Sequence, residues 1–139
     1  MLKNKVIIVL FFMFCVKNIN ADVPFVIEID NVTINGGTIY VGIFFSEESY
    51  KKNKPERLFE IEPSHTTVRL DLQMTEGEYV IGIHQDSNGN GEMDYGVFGI
   101  PKEPYGLSNM TGKIPGNYNT LRFRVNGRND KMIAPFVRF

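Results

Sequence analysis

Apolar and polar residues alternate, one for one, in short runs along most of this chain. Phe25, Ile27 and Ile29 fall on one face of the run Phe25 to Asp30. Ile39, Val41, Ile43 and Phe45 do the same from Thr38 to Phe45, opposite Thr38, Tyr40 and Gly42. Val68, Leu70 and Leu72 oppose Arg69 and Asp71; Tyr79, Ile81 and Ile83 oppose Val80, Gly82 and His84; Leu121, Phe123 and Val125 oppose Arg122 and Arg124. A weaker run closes the chain from Met132 to Phe139. A period of two belongs to extended strands with one buried face, and no window carries the 3.6-residue period of an amphipathic helix. Glu47 to Phe59 reads as an excursion between strands, with room for a single turn before Pro55. One apolar and one wet face on nearly every strand implies antiparallel sheets packed face to face. The expectation is an all-β antiparallel sandwich of six or seven strands, with a long loop between the last strands.

The N-terminus obeys a different logic. Lys3 and Lys5 precede an unbroken apolar run of 11 residues, Val6 to Val16, followed by a polar stretch and Ala21. Basic, apolar and small-residue regions in that order make a secretory signal peptide, and the run is too short to span a bilayer. Residues 1–21 are expected to be removed, leaving a single sandwich domain over 22–139 in the periplasm or outside the cell. Cys15 leaves with the peptide, because Met13 and Phe14 before it do not suit a lipoprotein signal. The mature chain then has no cysteine and a balance of 12 basic against 16 acidic residues, a formal charge of −4. Its stability must come from its core, or from its core and a metal ion.

The near-neutral balance of the whole chain, 15 basic against 16 acidic residues, argues against nucleic-acid binding. A lone cysteine excludes an internal disulfide and a cysteine-based zinc site. Phe139 is the kind of residue that ends an outer-membrane barrel, but the alternating runs are short for such strands and their wet faces carry Arg69, Asp71, Arg122 and Arg124. No membrane span is expected in the mature chain, and the sequence leaves the oligomeric state open.

Turn chemistry agrees with the strands. Asn35-Gly36-Gly37 separates the first two runs, where positive backbone angles are needed. Gly77-Glu78-Tyr79 places a turn glycine before an aromatic that opens an apolar strand. That segment resembles a pattern of prealbumin-like sandwiches, within the wider prealbumin and immunoglobulin-like class.

More than 30 residues, rich in Gly, Asn and Pro, lie between Gln85 and Thr120. Loops of that length in a compact domain are usually functional. The first part places Asp86, Asn88 and Asn90 at positions 1, 3 and 5 of a loop, Gly91 at 6, Glu92 at 7 and Asp94 at 9. Hard cations take six to eight oxygen ligands, and this spacing turns side-chain oxygens and one carbonyl inward. The string resembles EF-hand loops and the calcium-binding repeats of bacterial surface proteins, with Asp86, Asn88, Asn90, Glu92 and Asp94 as the metal candidates. It departs at position 12, where Val97 replaces the bidentate glutamate; Glu103 is a candidate for the missing ligand. A weak Ca²⁺ site is one reading. The other is a loop held by Asx-turn hydrogen bonds alone.

Further on, the run Gly99-Ile100-Pro101-Lys102-Glu103-Pro104-Tyr105-Gly106-Leu107-Ser108-Asn109 follows the D-x-N-x-N-G-x-x-D string. Together they resemble the domain-of-unknown-function 2141 family of exported bacterial proteins. The resemblance implies export and an all-β fold and brings no activity with it.

Three functional classes remain open. The first is a binding or structural module whose ordered loop displays Phe98, Tyr105 and Tyr118 to a protein or glycan. The second is a small-ligand carrier, with loop 95–118 as a lid and Tyr95, Phe98 and Tyr105 around its pocket. The third is a hydrolase using Asp86, Asp94, Glu103 and His84. No nucleophile elbow, phosphate loop, Ser-His-Asp order or HExxH string is present, so the expectation is a protein that is not an enzyme.

Overall fold

The computed structural model describes residues 21–128 and 131–135. The signal-peptide segment, Cys15 and Phe139 lie outside the described residues. The alternating runs form strands β1 (Asp22–Asp30), β2 (Thr38–Phe44), β4 (Val68–Thr75) and β5 (Gly77–Asp86), together with the shorter β3 (Arg57–Ile61), β6 (Tyr105–Leu107), β7 (Phe123–Val125) and β8 (Lys131–Pro135). One sheet has the order β4-β1-β8 and the other β3-β2-β5-β6, with β7 pairing the start of β5. The result is an all-β sandwich with eight strands among the described residues, one or two more than the periodicity suggests.

The inner faces meet as alternation dictates. Phe25, Ile27 and Ile29 from β1 and Val68, Leu72 and Met74 from β4 pack on Ile39, Val41 and Ile43 from β2 and Tyr79, Ile81 and Ile83 from β5. Val125 of β7 closes one end of this core. Burial of this apolar area is the main favourable term in folding.

Two expectations are corrected. The first is antiparallel pairing, which holds for every strand pair among the described residues except one. β1 and β8 run parallel, with Val26 opposite Lys131 and Ile29 opposite Ala134. The two strands stand far apart in sequence, so no hairpin turn forces them to oppose. Lys131 Nζ and Glu28 Oε2 meet at 2.8 Å across this pair. The second correction concerns the wet faces. The outer face of the β2-β5 sheet is covered by a second apolar layer of Phe44, Val80, Tyr118 and Leu121, with Tyr50, Leu107 and Met110 against it.

Short elements build that layer. Helix α1 (Glu47–Lys51) starts at Ser46, whose side chain accepts from the Ser49 N–H while Ser49 answers on the Ser46 N–H. This reciprocal cap supports a single turn that periodicity could not show. Helix α2 (Tyr118–Leu121) is capped by Asn117, whose side chain accepts from the Thr120 N–H. Leu121, read from the pattern as a strand residue, ends α2 instead and is 1% exposed. Gly42 and Gly82 face each other across β2 and β5. A Cβ on Gly42 would lie 3.2 Å from Pro55, and one on Gly82 would lie 3.3 Å from Leu107. Their bare backbone gives the covering segments room to sit down on the sheet.

Ser108 staples the layers together. Its Oγ accepts from Ile81 N at 3.0 Å and donates to Leu121 O at 2.7 Å, and its own N–H reaches Ile81 O at 2.9 Å. Asn109, at φ 52°, donates to Arg122 O. The long segment after β5 is therefore not a free loop over its whole length. It makes an excursion over residues 87–104, returns as β6, and then covers the sheet.

Candidate functional site

The excursion begins where β5 ends, and that end is clamped from both faces. Gln85 points inward and is fully buried. Its Oε1 accepts from Thr33 N at 3.1 Å, and its Nε2 donates to Thr33 O at 2.7 Å and Gly37 O at 3.1 Å. Gly37 has φ +100°, and a Cβ there would lie 1.7 Å from Asp86 O. Only glycine admits both that angle and that approach. The turn between β1 and β2 is thereby pressed against the last residues of β5.

Asp86 points to the outer face and is 1% exposed. Its Oδ1 accepts from Gly89 N at 2.8 Å and its Oδ2 from Gly91 N at 2.7 Å. Gly89 and Gly91 adopt φ 75° and 78°, which lets the chain curl back over the carboxylate. Burial pushes the Asp86 acid up, but the N–H groups of Gly91, Gly89, Asn90 and Asn88 outweigh it and hold it below the ordinary carboxylate range. The coil continues in steps of two. Asn88 Oδ1 accepts from Asn90 N at 3.0 Å, and Asn90 Oδ1 from Glu92 N at 2.9 Å. The side-chain nitrogens of Asn88 and Asn90 both donate to Asp94 Oδ2, the second at 3.2 Å.

A second buried carboxylate closes the loop from the far side. Glu103 is 5% exposed. Its Oε1 accepts from Ser87 N at 2.7 Å and its Oε2 from Asp94 N at 3.3 Å. The sequence offers Glu103 as a spare metal ligand or as one carboxylate of a hydrolase. In the structure both its oxygens bind backbone. Gln85 N donates to Pro104 O at 2.9 Å, which delivers the chain into β6.

Of the five metal candidates, Asp86, Asn88, Asn90 and Asp94 are drawn into one hydrogen-bonded coil. Glu92 contributes its backbone N–H, and its side chain is exposed. Among the described residues no three of His, Cys, Asp and Glu come together as a metal-holding group. The donor chemistry suits a hard cation in number of oxygens. To serve one, both carboxamides must present oxygen where their nitrogens now meet Asp94.

Between Asp94 and Glu103 the chain forms a small hairpin. Tyr95 and Pro101 bridge, Gly96 N donates to Ile100 O at 2.7 Å, Gly99 N to Gly96 O at 3.2 Å, and Lys102 N to Asp94 O at 2.9 Å. At its tip Phe98 is 96% exposed and holds φ 63°, ψ 21°. A left-handed angle at a bulky residue costs on the order of 1–2 kcal/mol. Val97 and Tyr95 are also largely exposed, and Ile100 less so.

The display expected of Tyr105 and Tyr118 does not occur. Both are buried, at 4% and 8%. Tyr105 is in β6 opposite His84 and donates through its hydroxyl to Lys113 O, while Tyr118 belongs to the outer layer. Tyr105 and Phe98 therefore do not share a pocket wall. A hollow of about 260 Å³ lies elsewhere, along Pro24–Val26 and Asp71–Gln73. His84 stacks on Tyr40 at 5.1 Å, and its Nε2 is buried with no hydrogen-bond partner among the described residues. Burial lowers its pKa, against the pull of Glu103 and Asp86, so the ring is neutral at pH 7.

The run of residues 99–109 thus has a structural use at most positions. Ile100 and Pro101 close the hairpin, Glu103 latches the loop, Tyr105 binds Lys113 O through its hydroxyl, Leu107 packs the outer layer, and Ser108 and Asn109 bind neighbouring backbone. The family model described as an uncharacterized protein conserved in bacteria, domain of unknown function 2141, matches residues 27–133. No curated protein and no solved structure matches the chain.

The Asp86 carboxyl gives a pH signature. Its folded pKa lies below its unfolded value, so its contribution to stability is complete above the unfolded pKa, about 3.9, and is lost as pH falls through the folded value. Urea unfolding followed from neutral to acid pH should show the midpoint dropping below about pH 4. In Asp86→Asn the midpoint should be lower at neutral pH and its acid slope shallower. An unchanged midpoint and slope in that variant would show that the carboxylate does not hold the loop.

Proposed function

The chain belongs to the domain-of-unknown-function 2141 family of bacterial proteins, and from that premise we propose that it is an exported binding module. The sandwich is a rigid base, Asp86 and Glu103 hold the 87–104 excursion to it, and the hairpin Tyr95–Pro101 is the contact element. One observation carries this reading: Phe98 stands almost wholly in solvent at a strained backbone angle, on a hairpin whose own backbone is internally bonded. Strain and exposure of a large apolar side chain both oppose stability, so a partner is the economical reason for keeping them.

A hydrolase is less well supported, because Asp86 and Glu103 spend their oxygens on backbone N–H groups and Asp94 on two carboxamides. Export rests on the three-part N-terminus. Among the described residues no helix is long and apolar enough to cross a membrane.

Calcium is a second reading, supported by the oxygen-bearing side chains of Asp86, Asn88, Asn90 and Asp94 in one coil, and it requires the two carboxamides to turn their oxygens inward. Such a cation would tighten a coil that is already closed by its own hydrogen bonds. Titration should then raise the melting temperature with a half-point on the order of 10⁻⁴ to 10⁻³ M, the class of extracellular modules. A flat response through that range removes the ion.

The display reading is tested by expressing the whole sequence in a bacterial host. The product should appear in the exported fraction with a mass beginning at Asp22. Phe98→Ser with Ile100→Ser should then leave the unfolding free energy within about 0.5 kcal/mol of the parent or raise it, as expected for exposed positions. A loss comparable to a core substitution would make the hairpin part of the fold and end its role as a contact element.

A further inference from the structure

Asparagine followed by glycine is the sequence at which a chain most readily attacks itself. The glycine nitrogen closes on the asparagine Cγ, and glycine has no side chain to block the approach. Four such pairs occur here: Asn35-Gly36, Asn88-Gly89, Asn90-Gly91 and Asn126-Gly127.

Three of the four are folded alike. Asn88 Oδ1 accepts from Asn90 N at 3.0 Å, Asn90 Oδ1 from Glu92 N at 2.9 Å, and Asn126 Oδ1 from Arg128 N at 3.1 Å. Gly89, Gly91 and Gly127 hold φ 75°, 78° and 70°. All three asparagines are exposed to water. In each, the N–H bonded to Oδ1 draws electron density from Cγ and readies it for attack.

The three differ at the two groups that must come free. Gly89 N and Gly91 N donate to the Asp86 carboxylate at 2.8 and 2.7 Å. The side-chain nitrogens of Asn88 and Asn90, which would leave, donate to Asp94. Gly127 N and the side-chain nitrogen of Asn126 have no hydrogen-bond partner among the described residues. In the fourth pair, Gly36 N is bound to Thr33 O at 3.0 Å.

We propose that Asn126 is the site at which this protein modifies itself, through a succinimide formed with Gly127, and that Asp86 and Asp94 withhold Asn88 and Asn90 from the same reaction. The Gly127 nitrogen loses its proton to solvent base and bonds to Asn126 Cγ. The bond from Cγ to the side-chain nitrogen breaks, that nitrogen takes a proton from water, and ammonia leaves. Water then adds to either carbonyl of the ring and gives aspartate or isoaspartate, so one neutral amide becomes one carboxylate. In the coil the attacking nitrogen is the one whose N–H holds Asp86, and that bond must break first. Loss of one hydrogen bond to a charged group slows such a step about tenfold or more.

The position gives the product consequence. Asn126 follows β7, which pairs with β5, and precedes β8, which pairs with β1. An isoaspartyl link therefore adds a main-chain carbon at the crossover between the sheets. The new charge arises in a turn that passes Glu76, whose Oε1 is 4.0 Å from the place of a Gly127 Cβ. The assignment is independent of what the Tyr95–Pro101 hairpin contacts.

The test is incubation of the whole folded chain in mildly alkaline buffer, with peptide mapping by mass spectrometry at intervals. Isoaspartate is scored by enzymatic methylation, and the same chain unfolded in urea supplies the reference rate at each pair. Asn126 should convert in the folded chain at close to its unfolded rate. Asn88 and Asn90 should convert at least about tenfold more slowly than when unfolded, the cost of releasing the glycine N–H. Asp86→Ala should raise the rates at Asn88 and Asn90 and leave Asn126 unchanged; if that variant does not fold, the folded and unfolded parent still decide the matter. Conversion at Asn88 or Asn90 as fast as at Asn126 in the folded parent overturns the protection. Conversion there faster than at Asn126 overturns it too, because the carboxylate would then be drawing the proton off the glycine nitrogen. Folded Asn126 converting tenfold below its unfolded rate overturns the assignment of the site.

Discussion

A carboxylate at the end of a strand, taken out of water and repaid by backbone N–H groups, organises this molecule. Among the described residues Asp86 makes no ion pair; its oxygens bind the N–H groups of Gly89 and Gly91. Glu103 does the same from the returning chain, on Ser87 and Asp94. Each exchanges hydration for oriented dipoles, which is the condition under which a buried charge is tolerated. Remove either and several N–H groups lose their acceptor together. The loop is thereby built from its polar residues, with little apolar burial of its own.

That construction separates three layers of the fold by the kind of force that holds them. The inner core is apolar burial between the faces of two sheets. The outer layer is apolar burial assisted by Ser108, whose hydroxyl links β5 to the end of α2. The excursion is held by charge-assisted hydrogen bonds. A hairpin mounted on such a base carries Phe98 in a strained conformation without loosening the core beneath it. The same arrangement leaves the apolar tips free of internal packing, which is what a contact element requires.

The inner faces were legible in the sequence because alternation is imposed over five or more residues at a time, as from Phe25 to Ile29 and from Tyr79 to Ile83. The outer layer was not. It is assembled from one or two residues each on β2, β5, α1, β6 and α2, and no single window shows a period. β6 has three residues and includes Gly106, too few to alternate. β3 pairs β2 at an edge, with Leu58 more than half exposed, so its pattern lacks a clean apolar face. Of the polar coil the sequence showed that Asp86, Asn88, Asn90 and Asp94 recur along a turn-rich segment; that Asp86 binds the N–H groups of Gly89 and Gly91 while both carboxamides reach Asp94 it did not show. The resemblance to the domain-of-unknown-function 2141 family is borne out by the match over residues 27–133. Glu103 was visible only as a spare carboxylate, because its partners are backbone groups of residues 16 and 9 positions earlier, and backbone donors leave no trace in side-chain identity. Gln85 and Ser108 were missed for the same reason.

The most direct measurement is amide hydrogen exchange, residue by residue, on the chain free of added cations. If the buried carboxylates hold the excursion, the amides of Ser87, Gly89, Gly91 and Asp94 exchange slowly, approaching the protection of β5, although they lie in an exposed loop. If those four amides exchange at the rates of an unstructured peptide while β5 remains protected, the carboxylates do not carry the loop, and the account of the site built on them is wrong.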